Sequence, residues 1–362
     1  MRKLHVALPQ NSYDVWIGER LIEMLPPFLT AGKRYSRALI VSDRNVGKLY
    51  QESLLTIFRK AGIPTDTYCI PPGEISKSLA EAEKIYTRAI ETGLDRQSVI
   101  VALGGGVVGD LAGFIAATYM RGISFLQVPT SLLAQVDSSV GGKVAVNHSR
   151  GKNLIGAFYQ PEGVFSDLSM LDTLPEREIY TGLGEIVKYG VIYDGDFFQY
   201  LENNVAKILR LERAVLEHIV FRSCEIKATV VSQDEKESGL RQILNFGHTL
   251  GHAIEKETGY VRYNHGEAIA AGMMGAAYIS AFLELIDASA VKRLAALLKR
   301  LHLPVTVQGC DADNIYADIF HDKKTVRGKV NWILMENIGR VAGFDNVPEN
   351  IVKQAIGQIL EI

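Results

Sequence analysis

The sequence predicts an α/β N-terminal domain with a parallel-rich sheet, followed by a mostly α-helical C-terminal domain. Short β-branched runs alternate with amphipathic helical stretches through residues 37–128, which is typical of strands joined by crossover helices. Nearly all of residues 176–302 has helical periodicity instead. Because Pro175 lies between these two regions, we expect domains 1–175 and 176–362.

In the first half, apolar β-branched runs predict buried strands, and apolar side chains recurring at three and four positions predict helices. The predicted strands are residues 37–42, 98–103 and 123–128. The predicted helices are residues 46–61, 77–91 and 107–120. In the second half, helices are predicted over residues 196–210, 213–231 and 268–283, with a single late strand at residues 329–335.

Composition excludes several classes of protein. The chain has 362 residues, 47% hydrophobic and 22% charged, and its 39 Lys and Arg nearly balance its 41 Asp and Glu, so no nucleic-acid surface is expected. The longest uncharged stretch, residues 268–283, is shorter than the roughly 20 residues of a membrane span. Three widely separated cysteines and the absence of a signal-peptide core favour a reducing compartment. We expect a cytoplasmic enzyme with no membrane partner.

A glycine-rich turn, GGGVVGD at residues 104–110, directly follows a predicted strand and opens a helix. It satisfies G-x-G-x-x-G, in which glycines let the backbone approach a pyrophosphate and the helix N-terminus supplies N–H donors. A Rossmann-like nucleotide-binding domain is predicted, and a tight turn that binds nothing is the alternative. The acidic residue expected about 20 positions later is absent. Asp43 could bind the ribose instead, or could be a turn residue.

Three of the eight histidines, His248, His252 and His265, lie close together in the sequence. His248 and His252 are four apart, which places them on one face of a helix. A hydrogen-bonded core pair is the simpler interpretation, but the third histidine favours a metal. One carboxylate would complete a His₂Glu site with an open coordination position. Glu185, among glycines and apolar residues, is a candidate that spacing alone does not select over other acids.

Residues 128–154 mix hydroxyls, glycines and isolated lysines. This combination favours binding of phosphate or a polyhydroxy acid, with lysine acting as a point charge. Lys227, Glu237 and Arg241 precede the histidines and could extend an anion site. Each of them taken singly is more typical of a surface residue, so the prediction depends on the grouping.

Together these motifs resemble the 3-dehydroquinate synthase family of sugar phosphate cyclases, over nearly the full chain. The matching segments are PPGE at 71–74 with Lys77, GGGVVGD at 104–110, VPTSLLAQVDSSVGGK at 128–143, GEIVK at 184–188, and the histidine region at 245–267. Ser131 stands where the family usually has a second Thr, and either hydroxyl can donate and accept a hydrogen bond.

The resemblance implies conversion of 3-deoxy-D-arabino-heptulosonate 7-phosphate to 3-dehydroquinate and phosphate, in the shikimate pathway of aromatic amino acid biosynthesis. The implied steps are transient NAD-dependent oxidation, phosphate elimination, reduction and intramolecular aldol cyclisation. The implied cofactors are NAD and one divalent metal, Zn²⁺ or alternatively Co²⁺. Arg121 resembles a residue that reaches the phosphate site of a neighbouring subunit, which implies a homodimer.

The resemblance also implies roles for individual residues. It assigns the metal to Glu185, His248 and His265. It implies NAD contacts for Asp43, Gly73, Glu74, Lys77, Gly105, Gly106, Val107, Val108, Gly109, Asp110, Thr130, Ser131, Lys143, Lys152 and Thr173. It implies substrate binding or catalysis for Asp137, Lys152, Asn153, Lys188, Lys227, Glu237, Arg241, Asn245, His252 and Lys324. Within this set, His252 would contact the substrate phosphate and relay protons, and Glu237 would order the cations.

Three other functions fit parts of the pattern. A metal-dependent polyol dehydrogenase would share NAD and the metal, but its neutral substrate needs few cations, which argues against it. A related cyclase acting on another sugar phosphate differs only in subtle pocket residues. A non-catalytic binding protein would have no need of the intact set Glu185, His248 and His265.

Overall fold

The computed structural model describes residues 1–30, 35–321, 325–326 and 329–361. The chain divides into two compact units. One consists of Met1–Pro175 with Lys227–Glu235, and the other of Glu176–Ile226 with Lys236–Ile362. Of the helices within the described ranges, none has the length and apolar character needed to cross a membrane.

The described part of the first unit contains nine strands. They are β1 (Arg2–Val6), β2 (Tyr13–Gly18), β3 (Ala38–Asp43), β4 (Thr65–Ile70), β5 (Val99–Gly104), β6 (Ser124–Pro129), β7 (Lys143–His148), β8 (Gly151–Phe158) and β9 (Gly163–Asp167). Seven of them form a central sheet in the order β1-β2-β9-β6-β5-β3-β4. Its neighbouring strands pair in parallel, except that β1 is antiparallel to β2. A separate antiparallel hairpin joins β7 to β8.

Helices cover both faces of this sheet. They are α1 (Leu25–Thr30), α2 (Arg44–Lys60), α3 (Leu79–Glu91) and α4 (Gly106–Thr118). Successive side chains of β5 point to opposite faces, so that Ile100 packs in the cluster containing Ile85 of α3, while Val101 packs in the cluster containing Leu54 of α2. Because both faces are apolar, every residue of β5 is buried.

The second unit is mostly helical. The helices after Pro175 are α5 (Glu176–Tyr193), α6 (Gly195–Leu209), α7 (Arg213–Gln233), α8 (His248–Glu257), α9 (His265–Phe282), α10 (Ala288–Arg300), α11 (Ala312–His321) and α12 (Glu349–Ile359). All of them belong to the second unit except the part of α7 from Lys227 onwards, which belongs to the first. The short strands of the second unit are β10 (Thr325–Val326), β11 (Lys329–Val330), β12 (Trp332–Asn337) and β13 (Arg340–Phe344). The predicted fold class, a parallel-rich α/β region followed by a helical one, is confirmed.

Four details differ from the sequence predictions. Strands β1, β2, β4 and β9 of the large sheet were not predicted. The prediction of a single late strand at residues 329–335 is wrong, because β12 pairs with β13 in an antiparallel hairpin whose turn contains Gly339 at φ 93°. The β7–β8 hairpin was not predicted, because β8 is largely exposed and so has no apolar run. Lys227–Glu235, predicted in the C-terminal domain, belongs to the first unit, where Lys227 bonds to Asp137.

Candidate active site

Three helices of the second unit bring Glu185, His248 and His265 together. Glu185 lies on α5, His248 is the first residue of α8, and His265 is the first residue of α9. The Nε2 atoms of both histidines are 3.6 Å from Glu185 Oε1, and one ligand atom from each side chain lies within 4.8 Å of the others. Glu185 is only 1% exposed. Two imidazole nitrogens and a buried carboxylate are a donor set that fits a divalent metal.

Glycines allow these helices to approach closely enough to form the cluster. A Cβ at Gly266 would lie 1.9 Å from the carbonyl oxygen of Thr181, and a Cβ at Gly184 would lie 2.6 Å from the carbonyl oxygen of Gly266. Since Gly184 and Gly266 each adjoin one of the predicted ligands, this backbone contact between α5 and α9 sets the distance between Glu185 and His265.

Gly266→Ala is expected to separate α5 from α9 and to lower metal affinity by at least about 10-fold, comparable with losing a group that supports a ligand. The backbone of Thr181 cannot yield as a flexible side chain could, so the helices themselves must move. Metal content after dialysis against a weak chelator measures the effect. Gly357→Ala is the matched control, because a Cβ at Gly357 on α12 meets no atom within 4 Å. Full metal retention in Gly266→Ala would contradict the packing argument.

Both predicted histidine ligands are oriented through their other ring nitrogen. His248 Nδ1 is 3.1 Å from the carbonyl oxygen of Phe246, and His265 Nδ1 is 3.5 Å from Glu255 Oε2. With Nδ1 as the donor to these oxygens, each Nε2 keeps its lone pair directed towards Glu185. Once a metal replaces any proton on Nε2, this arrangement leaves each ring in the tautomer that metal binding needs.

Carboxylates around His265 favour positive charge at this position. Burial lowers the pKa of His265, but hydrogen bonds and negative charge from Glu185 and Glu255 outweigh it and raise the pKa to about 10. A divalent cation can supply this charge in place of a proton. Lys188, one turn after Glu185 on α5 and 2% exposed, forms an ion pair with Glu185.

The start of α9 is held by an interlocking set of polar contacts. Asn264 and Glu267 form a capping box around the first turn, and Arg177 donates to both carboxylate oxygens of Glu267 at 2.8 and 2.7 Å. Since His265 is the first helical residue, these contacts define where its side chain leaves the backbone.

In the first unit, predicted NAD residues lie at the carboxyl ends of the adjacent parallel strands β3, β5 and β6. Asp43 ends β3, Gly105 follows β5, and Thr130 follows β6. The Thr130 amide donates to the carbonyl of Gly104 at 3.0 Å. The carboxyl edge of a parallel sheet is where open α/β folds bind ligands, so this placement agrees with a nucleotide site.

The glycine-rich turn leads directly into α4, whose N-cap, Gly105, has no side chain to bond the first helical amides. A Cβ at Gly106 would lie 3.1 Å from Ser138 Oγ, so a larger residue would crowd this turn. The Gly109 amide already donates to the carbonyl of Gly105 at 3.0 Å, and Val108 packs into the core. The Gly109 amide is therefore used within the helix, whereas Gly106 and Val107 lie in the first turn, where amides have no acceptor within the helix. Contacts of this turn with a phosphate remain a prediction.

Asp43 acts as the N-cap of α2. Its Oδ1 accepts hydrogen bonds from the amides of Asn45 and Val46 at 2.8 and 3.1 Å. The simpler interpretation, a residue that shapes the turn, is thus confirmed, and a contact with the ribose remains a prediction.

Lys77 is the centre of a polar network in the first unit. Its Nζ donates to Asp110 Oδ2 at 2.6 Å and to Asn153 Oδ1 at 2.5 Å, and it is 4% exposed. Asn147 of β7 bonds to Glu74 and accepts from the Asn153 amide at 2.9 Å. Predicted NAD residues thus contact a predicted substrate residue, Asn153.

The predicted substrate residues are paired with one another within each unit. In the first, Lys227 Nζ is 2.8 Å from Asp137 Oδ1 and donates to the Asp137 carbonyl at 2.7 Å. In the second, Asn245 Nδ2 donates to Glu237 Oε1 at 2.8 Å. Arg241, in the same 3₁₀ turn as Asn245, is 1% exposed. Such pairing orients each side chain before a ligand arrives.

Other predicted residues have simpler surroundings. Thr173 shares a 2.5 Å hydrogen bond with the Tyr50 hydroxyl. Ser131 Oγ accepts from the Ala134 amide at 3.3 Å. Lys143 is exposed. Arg121 is exposed in a turn after α4 and has φ 69°. Lys324 lies outside the described residues.

Comparison with known proteins decides the family. Residues 67–181 match a family model described as 3-dehydroquinate synthase N-terminal, and residues 182–325 match one described as 3-dehydroquinate synthase C-terminal. The chain belongs to the 3-dehydroquinate synthase family. A member of this family from Desulforamulus reducens, a 3-dehydroquinate synthase, is 47% identical over 359 residues, which cover 99% of this chain and 100% of the relative.

Two solved structures extend the family comparison to other sugar phosphate cyclases. A 2-deoxy-scyllo-inosose synthase complexed with carbaglucose-6-phosphate, NAD⁺ and Co²⁺ has a TM-score of 0.91 and 29% identity, covering 99% of this chain and 100% of that one. A 2-epi-5-epi-valiolone synthase from Streptomyces hygroscopicus with NAD⁺ and Zn²⁺ bound has a TM-score of 0.89 and 25% identity, covering 98% of each chain.

Within this family pattern, sequence reasoning missed Asn147 and Glu255. Asn147 had no signal, because a single asparagine in an unpredicted strand is indistinguishable from a surface residue. Glu255 did have one, since it lies three residues after His252 on the helical face that His248 also shares. His252, Glu255 and His265 form a second group of potential ligand atoms within 4.8 Å of one another.

Proposed function

We propose that this protein converts 3-deoxy-D-arabino-heptulosonate 7-phosphate to 3-dehydroquinate and phosphate, using bound NAD⁺ and one divalent metal. Membership of the 3-dehydroquinate synthase family supports the activity. Relatives with NAD⁺ and Co²⁺ or Zn²⁺ bound support both groups. The observation that carries the residue assignment is the convergence of Glu185, His248 and His265 from three helices.

The residues of the chain bind and orient the substrate, NAD⁺ and the metal, and NAD⁺ and the metal supply the redox and Lewis-acid chemistry. When bound, NAD⁺ provides a reversible hydride acceptor and the divalent metal provides a Lewis acid. Glu185 Oε1 and the two histidine Nε2 atoms would hold the metal, which would supply Lewis-acid chemistry to substrate oxygens. The burial of Glu185 keeps water from competing for its carboxylate.

The NAD⁺ pyrophosphate is assigned to the amides at the start of α4, where Gly106 and Val107 lie in the first helical turn. Asp43 can accept a ribose hydroxyl while Oδ1 continues to cap α2, because a carboxylate has several acceptor positions. Lys77 balances negative charge near the cofactor. The remaining proposed contacts are Gly73, Glu74, Gly105, Asp110, Thr130, Ser131, Lys143, Lys152 and Thr173.

The substrate carries a carboxylate and a phosphate, and buried cations are suited to both. Lys188 and Arg241 are 2% and 1% exposed, so their attraction for an anion is screened much less than at a surface. Arg241 can present a bidentate fork to either group. Lys152, Asn153, Lys227, Asn245 and Lys324 complete the proposed set.

Proton transfer does not need a dedicated carboxylate pair. The substrate phosphate itself can take the proton that is lost before phosphate leaves, so the base departs with the product. We assign the exchange of a proton with this phosphate to His252 on α8, and the 5.4 Å between its ring centroid and that of His248 supports a place beside the metal site.

The proposal includes a homodimer and a cytoplasmic location. Met120 and Arg121 both have left-handed backbone conformations, at φ 49° and 69°, in an exposed turn after α4. Such strain in consecutive non-glycine residues is typical of a functional position, and a contact with a second subunit would account for it. Cys69, Cys224 and Cys310 are not joined by disulfides within the described residues, which agrees with a reducing compartment.

Cofactor accounting tests the cyclase against a polyol dehydrogenase. In a cyclase the hydride returns within each turnover, so substoichiometric NAD⁺ should support many turnovers. We expect one phosphate for each dehydroquinate formed. The amount of NADH released should be at least about 100-fold below the amount of phosphate. Parallel assays of phosphate, dehydroquinate and NADH absorbance measure this. Stoichiometric NADH without phosphate would instead establish a dehydrogenase.

A further inference from the structure

Glu255 contacts a predicted metal ligand without belonging to the predicted ligand set. Its carboxylate Oε2 is 3.5 Å from His265 Nδ1, and the residue is 8% exposed on α8. The opposite nitrogen of the same ring, Nε2, is 3.6 Å from Glu185 Oε1. The imidazole of His265 therefore lies between two carboxylates, with one on each nitrogen.

We propose that Glu255 is a positioning residue that holds the His265 ring and thereby sets the affinity of the metal centre. By accepting a hydrogen bond from Nδ1–H, Glu255 keeps the Nε2 lone pair directed at the cluster and makes Nε2 a stronger ligand for the metal. This inference rests on the proposed metal role of Glu185, His248 and His265.

His248 and His265 differ in the charge of the oxygen that faces Nδ1. His248 Nδ1 faces a neutral oxygen, the carbonyl of Phe246, whereas His265 Nδ1 faces a charged one. A backbone carbonyl can orient a ring, but only a carboxylate also contributes negative charge. His265 is therefore expected to be the ligand whose donor strength depends on a side chain.

Charge balance supports the same role. Lys188 pairs with Glu185, so the charge of that carboxylate is already partly cancelled within the cluster. A divalent ion then brings excess positive charge into a site where Glu185 is 1% exposed. The carboxylate of Glu255, only one side chain away from the ion, offsets this excess and lowers the desolvation cost.

Metal affinity tests the proposal without any measurement of activity. The wild type, Glu255→Gln and Glu255→Ala are titrated with Zn²⁺ and with Co²⁺ against a competing chelator. Glu255→Gln keeps the size and an acceptor oxygen but loses the charge, so about a 10-fold weaker affinity is expected. Glu255→Ala loses both the charge and the acceptor oxygen, and about a 100-fold weaker metal affinity is expected. The two values span the range found when a group that hydrogen-bonds to a metal ligand is removed. The visible spectrum of the Co²⁺ protein should also shift, because the donor strength of His265 changes.

Glu257→Gln is the matched control. Glu257 lies on the same helix but bonds to Asn314 Nδ2 at 2.9 Å and belongs to neither group of potential ligands. It should bind both ions as the wild type does. Circular dichroism of the metal-free variants checks folding, and the isosteric Glu255→Gln carries the test if Glu255→Ala does not fold.

The possible outcomes distinguish the positioning role of Glu255 from a role as a metal ligand and from a failure of the metal assignment. Wild-type affinity in both Glu255 variants would overturn the positioning role while leaving the proposed function intact. Two ions in the wild type and one in Glu255→Gln would show that Glu255 is itself a ligand, with His252 and His265, and would also overturn the proposal. A wild type that binds neither ion would contradict the metal assignment itself, and this inference with it.

Discussion

His248→Ala is expected to lose its tightly bound metal and its activity while remaining folded. The variant removes one of three proposed ligands, so the loss of affinity should exceed the roughly 10- to 100-fold effect of a residue that only supports a ligand. The fold should survive because His248 is the first residue of α8, a position that alanine, a strong helix former, can occupy. Elemental analysis and thermal unfolding of the purified variant measure the two effects separately.

A control histidine excludes a general effect of the substitution. His5, on β1, forms an exposed pair with Asp14 at 2.8 Å and is outside both groups of potential ligands. His5→Ala should keep a full equivalent of metal and wild-type phosphate release. An active His248→Ala protein holding one equivalent of metal would overturn the ligand assignment, even if all other predictions held.

Arg241→Ala should reduce kcat/KM for phosphate release by about 100- to 1000-fold, the range observed when a preorganised donor to a developing charge is removed. The affinity for NAD⁺ should change by no more than about twofold, because the proposed NAD⁺ contacts are in the other unit. Arg241→Lys should recover only part of the rate, since a lysine keeps the charge but cannot form a bidentate fork. Steady-state kinetics and calorimetric NAD⁺ titration provide the two measurements.

Folding must be checked, because removing a buried charged group can itself destabilise a protein by about 3–5 kcal/mol. Retained metal shows that the second unit of Arg241→Ala is intact. Arg210→Ala is the control, since this guanidinium is 65% exposed and pairs with Glu212 at the surface. A metal-bound, folded Arg241→Ala protein with near-normal kinetics would show that Arg241 is structural.

Local sequence patterns were enough to predict the three adjacent strands β3, β5 and β6 and the helices α2, α3 and α4 of the first unit. The strand predicted at residues 98–103 is β5 at Val99–Gly104, and the helix predicted at 107–120 is α4 at Gly106–Thr118. These elements are encoded by neighbouring residues, because a continuous β-branched run and a 3.6-residue apolar period each reflect what one segment buries. Strands β1 and β8 are partly exposed and carried no such signal. Strands β2, β4, β7 and β9 were not predicted either.

The sequence by itself determined the residue types of the metal site and most of its motifs, and family resemblance was needed to choose Glu185. Only the tertiary structure decided how the ligands meet. Glu185 comes from α5 while both histidines begin later helices, and their distances depend on the backbone contact between Gly184 and Gly266. The contact between Glu255 and His265 also appears only in three dimensions, although the sequence places Glu255 on the helical face of His248 and His252. Helix packing is a long-range interaction between side-chain shapes, so periodicity within one segment cannot specify which faces come together.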